Sequence, residues 1–238
     1  LGILGLSLVL DYRMMFALLA GLTLLGGFWC VFQDPVDRAL PLQKKEMIFR
    51  RKYWLFYVLT FFAGARRQIF IAFAVFLLVK HFQFSIQAVT VLFVFNQAVN
   101  IVVAPIVGRA INRFGERSVL SVEYGVLIVV FVSYAYSQSA ALVVVMYILD
   151  HVVFNCAMAI RTFFQKIAAP DDIAPSMAMG FTINHIAAVV LPVLGGLLWL
   201  VNYQLVFLCG ALLSLCSLML VQAIPGQVVS PEKNPRKA

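Results

Sequence analysis

Seven stretches of about twenty apolar residues dominate this chain, and their length limits the folds open to it. They run approximately over 14–33, 53–79, 86–108, 118–136, 140–160, 176–199 and 203–224, and an apolar stub at 1–10 reads as the end of an eighth. The hydrocarbon core of a bilayer is about 30 Å thick, which a helix crosses in roughly 20 residues. Within it every backbone N–H and C=O must be satisfied by the protein, so runs of this length are helices; the alternating pattern of a membrane barrel is absent. Composition agrees, since 63% of the 238 residues are hydrophobic and only 12% are charged, which excludes an ordinary soluble domain. The expected fold class is all-α integral membrane, with the lipid bilayer as solvent.

A net charge of +8 in a soluble chain would point to nucleic acid, but in a membrane chain it is first a matter of topology. Fourteen of the eighteen basic residues fall on one side of the membrane: Arg38, Lys44, Lys45, Arg50, Arg51 and Lys52, then Arg109, Arg113 and Arg117, then Arg161 and Lys166, then Lys233, Arg236 and Lys237. The opposite side holds Arg13 and Lys80, and Arg66 and Arg67 belong to no loop. The rich side is expected to be cytoplasmic, which places the tail at 225–238 inside the cell and calls for no nucleic-acid partner. The longest connection, 34–52, is charged, contains Pro35 and Pro41, and reads as a cytoplasmic linker between 1–33 and a six-helix bundle at 53–224. The chain begins inside an apolar run and is expected to be a fragment. Cys30, Cys156, Cys209 and Cys216 all lie in apolar runs, with no CxxC pair and no histidine at metal-ligand spacing, so they read as small buried packing residues. Neither a metal nor a cofactor is expected.

Directly after 86–108 comes Gly108-Arg109-Ala110-Ile111-Asn112-Arg113-Phe114-Gly115-Glu116-Arg117, on the basic side. It resembles the cytoplasmic signature G-x-x-x-D-R-x-G-R-[RK] of the Major Facilitator Superfamily. Gly108, Arg113, Gly115 and Arg117 match, whereas Asn112 replaces the Asp and Glu116 the first Arg of the final pair. Glycine allows a tight turn at the helix ends, and Arg113 can cap a helix or pair with an acid. The resemblance implies that the stub is the fifth helix, 14–33 the sixth, and 34–52 the central loop. It implies that 1–33 ends an N-terminal bundle, that 53–224 is the C-terminal bundle, and that the motif is the copy between the eighth and ninth helices. It further implies two six-helix halves, a monomeric full-length protein in the cell inner membrane, and alternating access. In the family the seventh, eighth, tenth and eleventh helices face the transport cavity and the sixth, ninth and twelfth are peripheral.

An ionisable group at the centre of a span is costly unless it meets partners or water, so midpoints are informative. Arg66, Arg67 and Gln68 sit at the centre of 53–79; Asn96, Gln97 and Asn100 at that of 86–108; Asp150 and His151 at that of 140–160, with Asn155 one turn on; Asn184 and His185 near that of 176–199. All fall on helices that the resemblance places around the cavity. Glu123, by contrast, lies about one turn inside the cytoplasmic end of 118–136, which leaves Asp150 as the acid at midplane depth. One carboxylate cannot neutralise two arginines, so Arg66 or Arg67 is a candidate for an anionic substrate group. Gln68, Asn96, Gln97, Asn100, Asn155 and Asn184 are further substrate-binding candidates. Asp150, His151 and His185 are candidates for proton coupling. The alternative is structural: Asp150 neutralising an arginine and the amides joining helices.

The expected function is secondary active, proton-coupled transport of a small solute by alternating access, with an anionic substrate as the finer expectation. Competing readings are a multidrug/proton antiporter, for which Phe70, Phe73, Phe154 and Phe163 would supply an aromatic lining, and a non-transporting sensor or scaffold of the same fold. No nucleophile or metal set accompanies Asp150 and His151, so no enzyme is expected.

Overall fold

Spans of apolar sequence that must cross a bilayer become helices, and short polar segments between them become caps. The computed structural model describes residues 12–32 and 47–225. Its helices are α1 (Tyr12–Val31), α2 (Arg51–Lys80), α3 (Ile86–Tyr136), α4 (Ala140–Ile167), α5 (Pro170–Val201) and α6 (Tyr203–Val221). Five of them, α2 to α6, are long and apolar enough to cross a membrane. Helix α1 belongs to one compact unit and everything from residue 47 onward to another. The stub at 1–10, most of the linker and nearly all of the tail lie outside the described residues.

Three helices start on a side chain that replaces a missing backbone partner. Ser85 accepts from the Ala88 N–H at the head of α3, Ser139 from Leu142 at the head of α4, and Asn202 from Gln204 at the head of α6. These are the polar residues of the short loops, so the same few atoms end one span and begin the next.

Helix α3 has 51 residues, and at about 1.5 Å per residue a straight rod would be roughly twice as long as the membrane is thick. It is broken at Gly115, where φ is 80° and ψ 163°. Only glycine adopts that conformation without a steric penalty. The arms, 86–114 and 116–136, therefore account for two of the seven apolar runs. The expected loop from 109 to 117 is corrected to this one break, because the helix continues through Asn112 and Arg113 as far as Phe114. Gly108 is an ordinary helical position with open space where a Cβ would stand.

Contacts set the directions. Phe56 lies beside Gly180, Gly64 beside Asn184 and Phe73 beside Gly195, so α2 and α5 run parallel. Phe56 stacks on Phe164 and Phe70 meets Tyr147, so α4 runs the opposite way. The second arm of α3 lies antiparallel to α6, with Phe131 against Gly210 and Tyr134 against Phe207. At the end where α2 and α5 begin, Asp172 accepts from Arg50 Nε (2.8 Å) and the Tyr53 hydroxyl (3.1 Å) and pairs with Lys52 Nζ (3.2 Å). Large apolar side chains cover the outside: Leu200 is 83% and Ile101 79% exposed, an arrangement suited to lipid and not to water. The cysteines correct their expectation. None is buried, Cys30 and Cys209 being exposed and Cys156 and Cys216 intermediate. A polarizable thiol is compatible with lipid, so apolar surroundings in sequence do not require a core position.

Candidate functional site

Three helices enclose a cavity of about 360 Å³, within the range that accommodates a small organic molecule. Helix α2 lines it with Phe56, Thr60, Ala63 and Arg67; α4 with Phe154, Ala157, Ile160 and Arg161; α5 with Met177, Gly180, Phe181 and Asn184. Each set recurs at three- and four-residue intervals, the signature of a single helix face. Arg67 and Arg161 are the charged residues of this wall, and no acid lines it. The Arg67 guanidinium lies over the Phe154 ring, 4.9 Å from its centroid. Asn184 is held against the backbone of α2, where a Cβ on Gly64 would collide with its side chain. That close approach is why glycine is needed there.

Behind Arg67 is a second cavity of about 10 Å³, lined by Ala63, Arg66, Arg67, Glu123, Leu127, Asp150 and Phe154. That is about the space one water needs. Arg66, Glu123 and Asp150 are 3%, 1% and 3% exposed. Arg66 donates through Nη1 to the Ser217 hydroxyl and stacks on Tyr124, 4.4 Å from the ring centroid. Its Nε and Nη2, Oε2 of Glu123 and Oδ2 of Asp150 have no hydrogen-bond partner among the described residues. The ion pairs among the described residues are elsewhere, Arg50 and Lys52 with Asp172 and Lys166 with Glu116, so neither Glu123 nor Asp150 pairs directly with Arg66. Unpaired polar groups facing a one-water space are the setting in which buried water bridges them. Helix geometry is irregular at this level. A π-helical stretch, Ile69–Ala74, follows Arg66 to Gln68, and a 3₁₀ turn, Phe154–Ala157, interrupts α4 under Arg67. Such turns are frequent at functional sites.

Cationic walls and buried acids in the middle of membrane-crossing helices are costly unless they face partners or a wet cavity. The sequence model of the Major Facilitator Superfamily matches residues 1–174. The chain belongs to the Major Facilitator Superfamily. It is therefore an integral multi-pass membrane protein of a family of transporters. No curated protein and no solved structure matches it.

In this Major Facilitator Superfamily member the polar residues singled out by span midpoints separate into groups. Arg67 and Asn184 line the larger cavity, and Arg66, Arg67 and Asp150 the smaller. Asn155 donates through Nδ2 to Asn100 Oδ1, joining α4 to the first arm of α3. Gln68, Asn96, Gln97, His151 and His185 line neither cavity. Among the described residues both side-chain amide atoms of buried Asn96 and the Nε2 of His151 have no hydrogen-bond partner; His185 is exposed, its Nδ1 3.0 Å from the Phe181 carbonyl oxygen. Of the expected aromatic lining only Phe154 is present, since Phe70, Phe73 and Phe163 pack in the core. Phe56 and Phe181 take their place.

Two residues were misplaced by sequence boundaries. Asp150 is not the single acid at its depth. The helical arm starts at Glu116 and not at 118, so Glu123 is two turns in, and it faces the inside of the bundle from a helix expected to be peripheral. Arg161, assigned to a loop, is helical because α4 continues to Ile167. Ser217, the partner of Arg66, carried no signal in an apolar helix. In the signature motif, Arg117 donates to Gln222 Oε1 at 3.1 and 2.9 Å, Glu116 is buried and pairs with Lys166 at 2.6 Å, and Arg113 lies over Phe114. Glu116, where the family has Arg, thus reverses a charge and ties the turn at Gly115 to the end of α4.

Proposed function

We propose that this protein carries a small anionic solute across the membrane by alternating access, coupled to protons. The observation that supports this reading is the position of Arg67, which borders both cavities. On one side it presents a guanidinium to a solute-sized space without acids, and a guanidinium fork suits carboxylate or phosphate. On the other it faces Asp150 and Glu123. With both acids ionised, Arg67 is attracted back toward them; a proton on either weakens that attraction in a low-dielectric setting and leaves Arg67 free for the solute. Asn184 and Thr60 supply neutral hydrogen bonds on the same wall. Rocking of this bundle against the N-terminal one would expose the site to each side in turn.

A multidrug exporter of lipophilic cations would need acid on the larger wall, which carries arginine instead. The decisive experiment is uptake by the full-length protein in proteoliposomes, with anionic and cationic solutes, with and without a pH gradient. Asp150→Asn is expected to abolish accumulation driven by the gradient while leaving solute exchange at equilibrium. Unchanged pH-driven transport in that variant overturns the coupling.

A further inference from the structure

The larger cavity has two cations, and they are at different levels. Arg67 lies over Phe154, whereas Arg161 is seven residues further along α4, about 10 Å at helical rise. The rest of the wall is mainly apolar and aromatic, with Phe56, Phe154, Phe181 and Ile160 beside the neutral polar Thr60 and Asn184. Several basic residues near this end of the bundle are committed to acids, whereas Arg161, like Arg51, is not. Arg50 and Lys52 are paired with Asp172 and Lys166 with Glu116, but Arg161 has neither an ion pair nor a hydrogen bond among the described residues.

We propose that the solute is an amphipathic organic dianion, one charged end held by Arg67, the other by Arg161, and an aromatic or similarly apolar body between them. This rests on the anion-transport reading above and narrows it to a class. Occlusion removes water from both guanidinium groups, and a desolvated charge without a partner is costly. A monoanion would leave one arginine in that state. An inorganic anion would satisfy a guanidinium but would present no surface to the rings, and a neutral aromatic would leave both cations unpaired. A dianion with an apolar centre meets each part of the wall with its complement. Asp150 and Glu123 do not compete for the Arg161 end, because they lie in the smaller cavity behind Arg67.

The test uses the full-length protein in detergent and in proteoliposomes, with aryl dicarboxylates from terephthalate to biphenyl dicarboxylate, their monomethyl esters, and adipate. Affinity is read from ligand-induced thermal stabilisation. The tightest aryl dicarboxylate is expected to bind more strongly than its monoester and than adipate. Arg161→Gln is expected to weaken the dicarboxylate about tenfold or more, the loss of one charge-assisted contact, and the monoester less than about twofold; Arg161→Lys restores part of the difference. Arg67→Gln weakens both. Equal losses for diacid and monoester in Arg161→Gln, no loss in either, or binding of adipate as tight as the aryl series overturns the proposal. Labelled dicarboxylate counterflow separates this from the parent reading. The Arg161-dependent binding pattern without exchange supports the dianion site and overturns transport, whereas exchange of other solutes with no dicarboxylate binding overturns the dianion site alone.

Discussion

Arg66 and Arg67 are neighbours in the chain, yet they occupy two very different environments. Adjacent helical residues point about 100° apart, so α2 turns Arg66 into the packed interior and Arg67 toward open space. Arg66 is 3% exposed, stacked on Tyr124, bonded to Ser217 and grouped with two acids. Arg67 is exposed in the larger cavity, with a phenyl ring for a neighbour and no acid on that wall. A buried arginine among carboxylates holds charge in place, and an exposed one facing a cavity can exchange partners. The same residue type is thus locked into packing at one position and turned toward a cavity at the next, where we propose that it recognises the solute.

The comparison breaks most clearly if the two arginines respond alike to removal. Arg66→Ala leaves Glu123 and Asp150 buried without their cation, and loss of one partner of a buried charge set costs about 3–5 kcal/mol. A large fall in the thermal unfolding midpoint of the full-length protein is expected, while Arg67→Ala leaves that midpoint nearly unchanged. Transport reads the opposite order. Arg67→Gln is expected to reduce solute uptake about 10- to 100-fold, from loss of a charge-assisted bond worth about 1.5–3 kcal/mol, at near-normal stability. A smaller effect tests the helix packing that positions Arg67. Gly64→Ala puts a methyl group into Asn184, and overpacking of this kind costs about 1–3 kcal/mol, visible as lower stability together with weaker solute binding. The smallest concerns a contact outside both cavities: Asn155→Ala removes the bond to Asn100, expected to cost about 0.6 kcal/mol with transport unaffected. A transport defect there would place the amides in the solute path.

Much of the fold was legible because lipid imposes a simple requirement. Each apolar run long enough to span appears as helix wherever the residues are described, and Ser85, Ser139 and Asn202 cap the helices that follow short polar loops. Helix ends were less legible. Spans were bounded by where charge begins, but helices continue past the apolar core into the interface, and this moved Arg161 from a loop to the cavity wall. Midplane counting found Arg66, Arg67, Asp150 and Asn184, since a charge or amide at that depth needs a reason to be there. It found no signal for Ser217, whose hydroxyl also bonds to the Leu213 carbonyl of its own helix and therefore costs little in any apolar span.

By itself the sequence determined a helical membrane protein, its family and the depth at which its unusual charges sit, because hydrophobic length and the price of buried charge are properties of single segments. Only the tertiary structure decided which of two adjacent arginines faces the larger cavity, that Glu123 and Asp150 share one small cavity, and that Arg161 joins Arg67 on a common wall. Those are relations between helices. They depend on the rotation of each helix about its axis and on close approaches such as Gly64 to Asn184, which no one-dimensional pattern records.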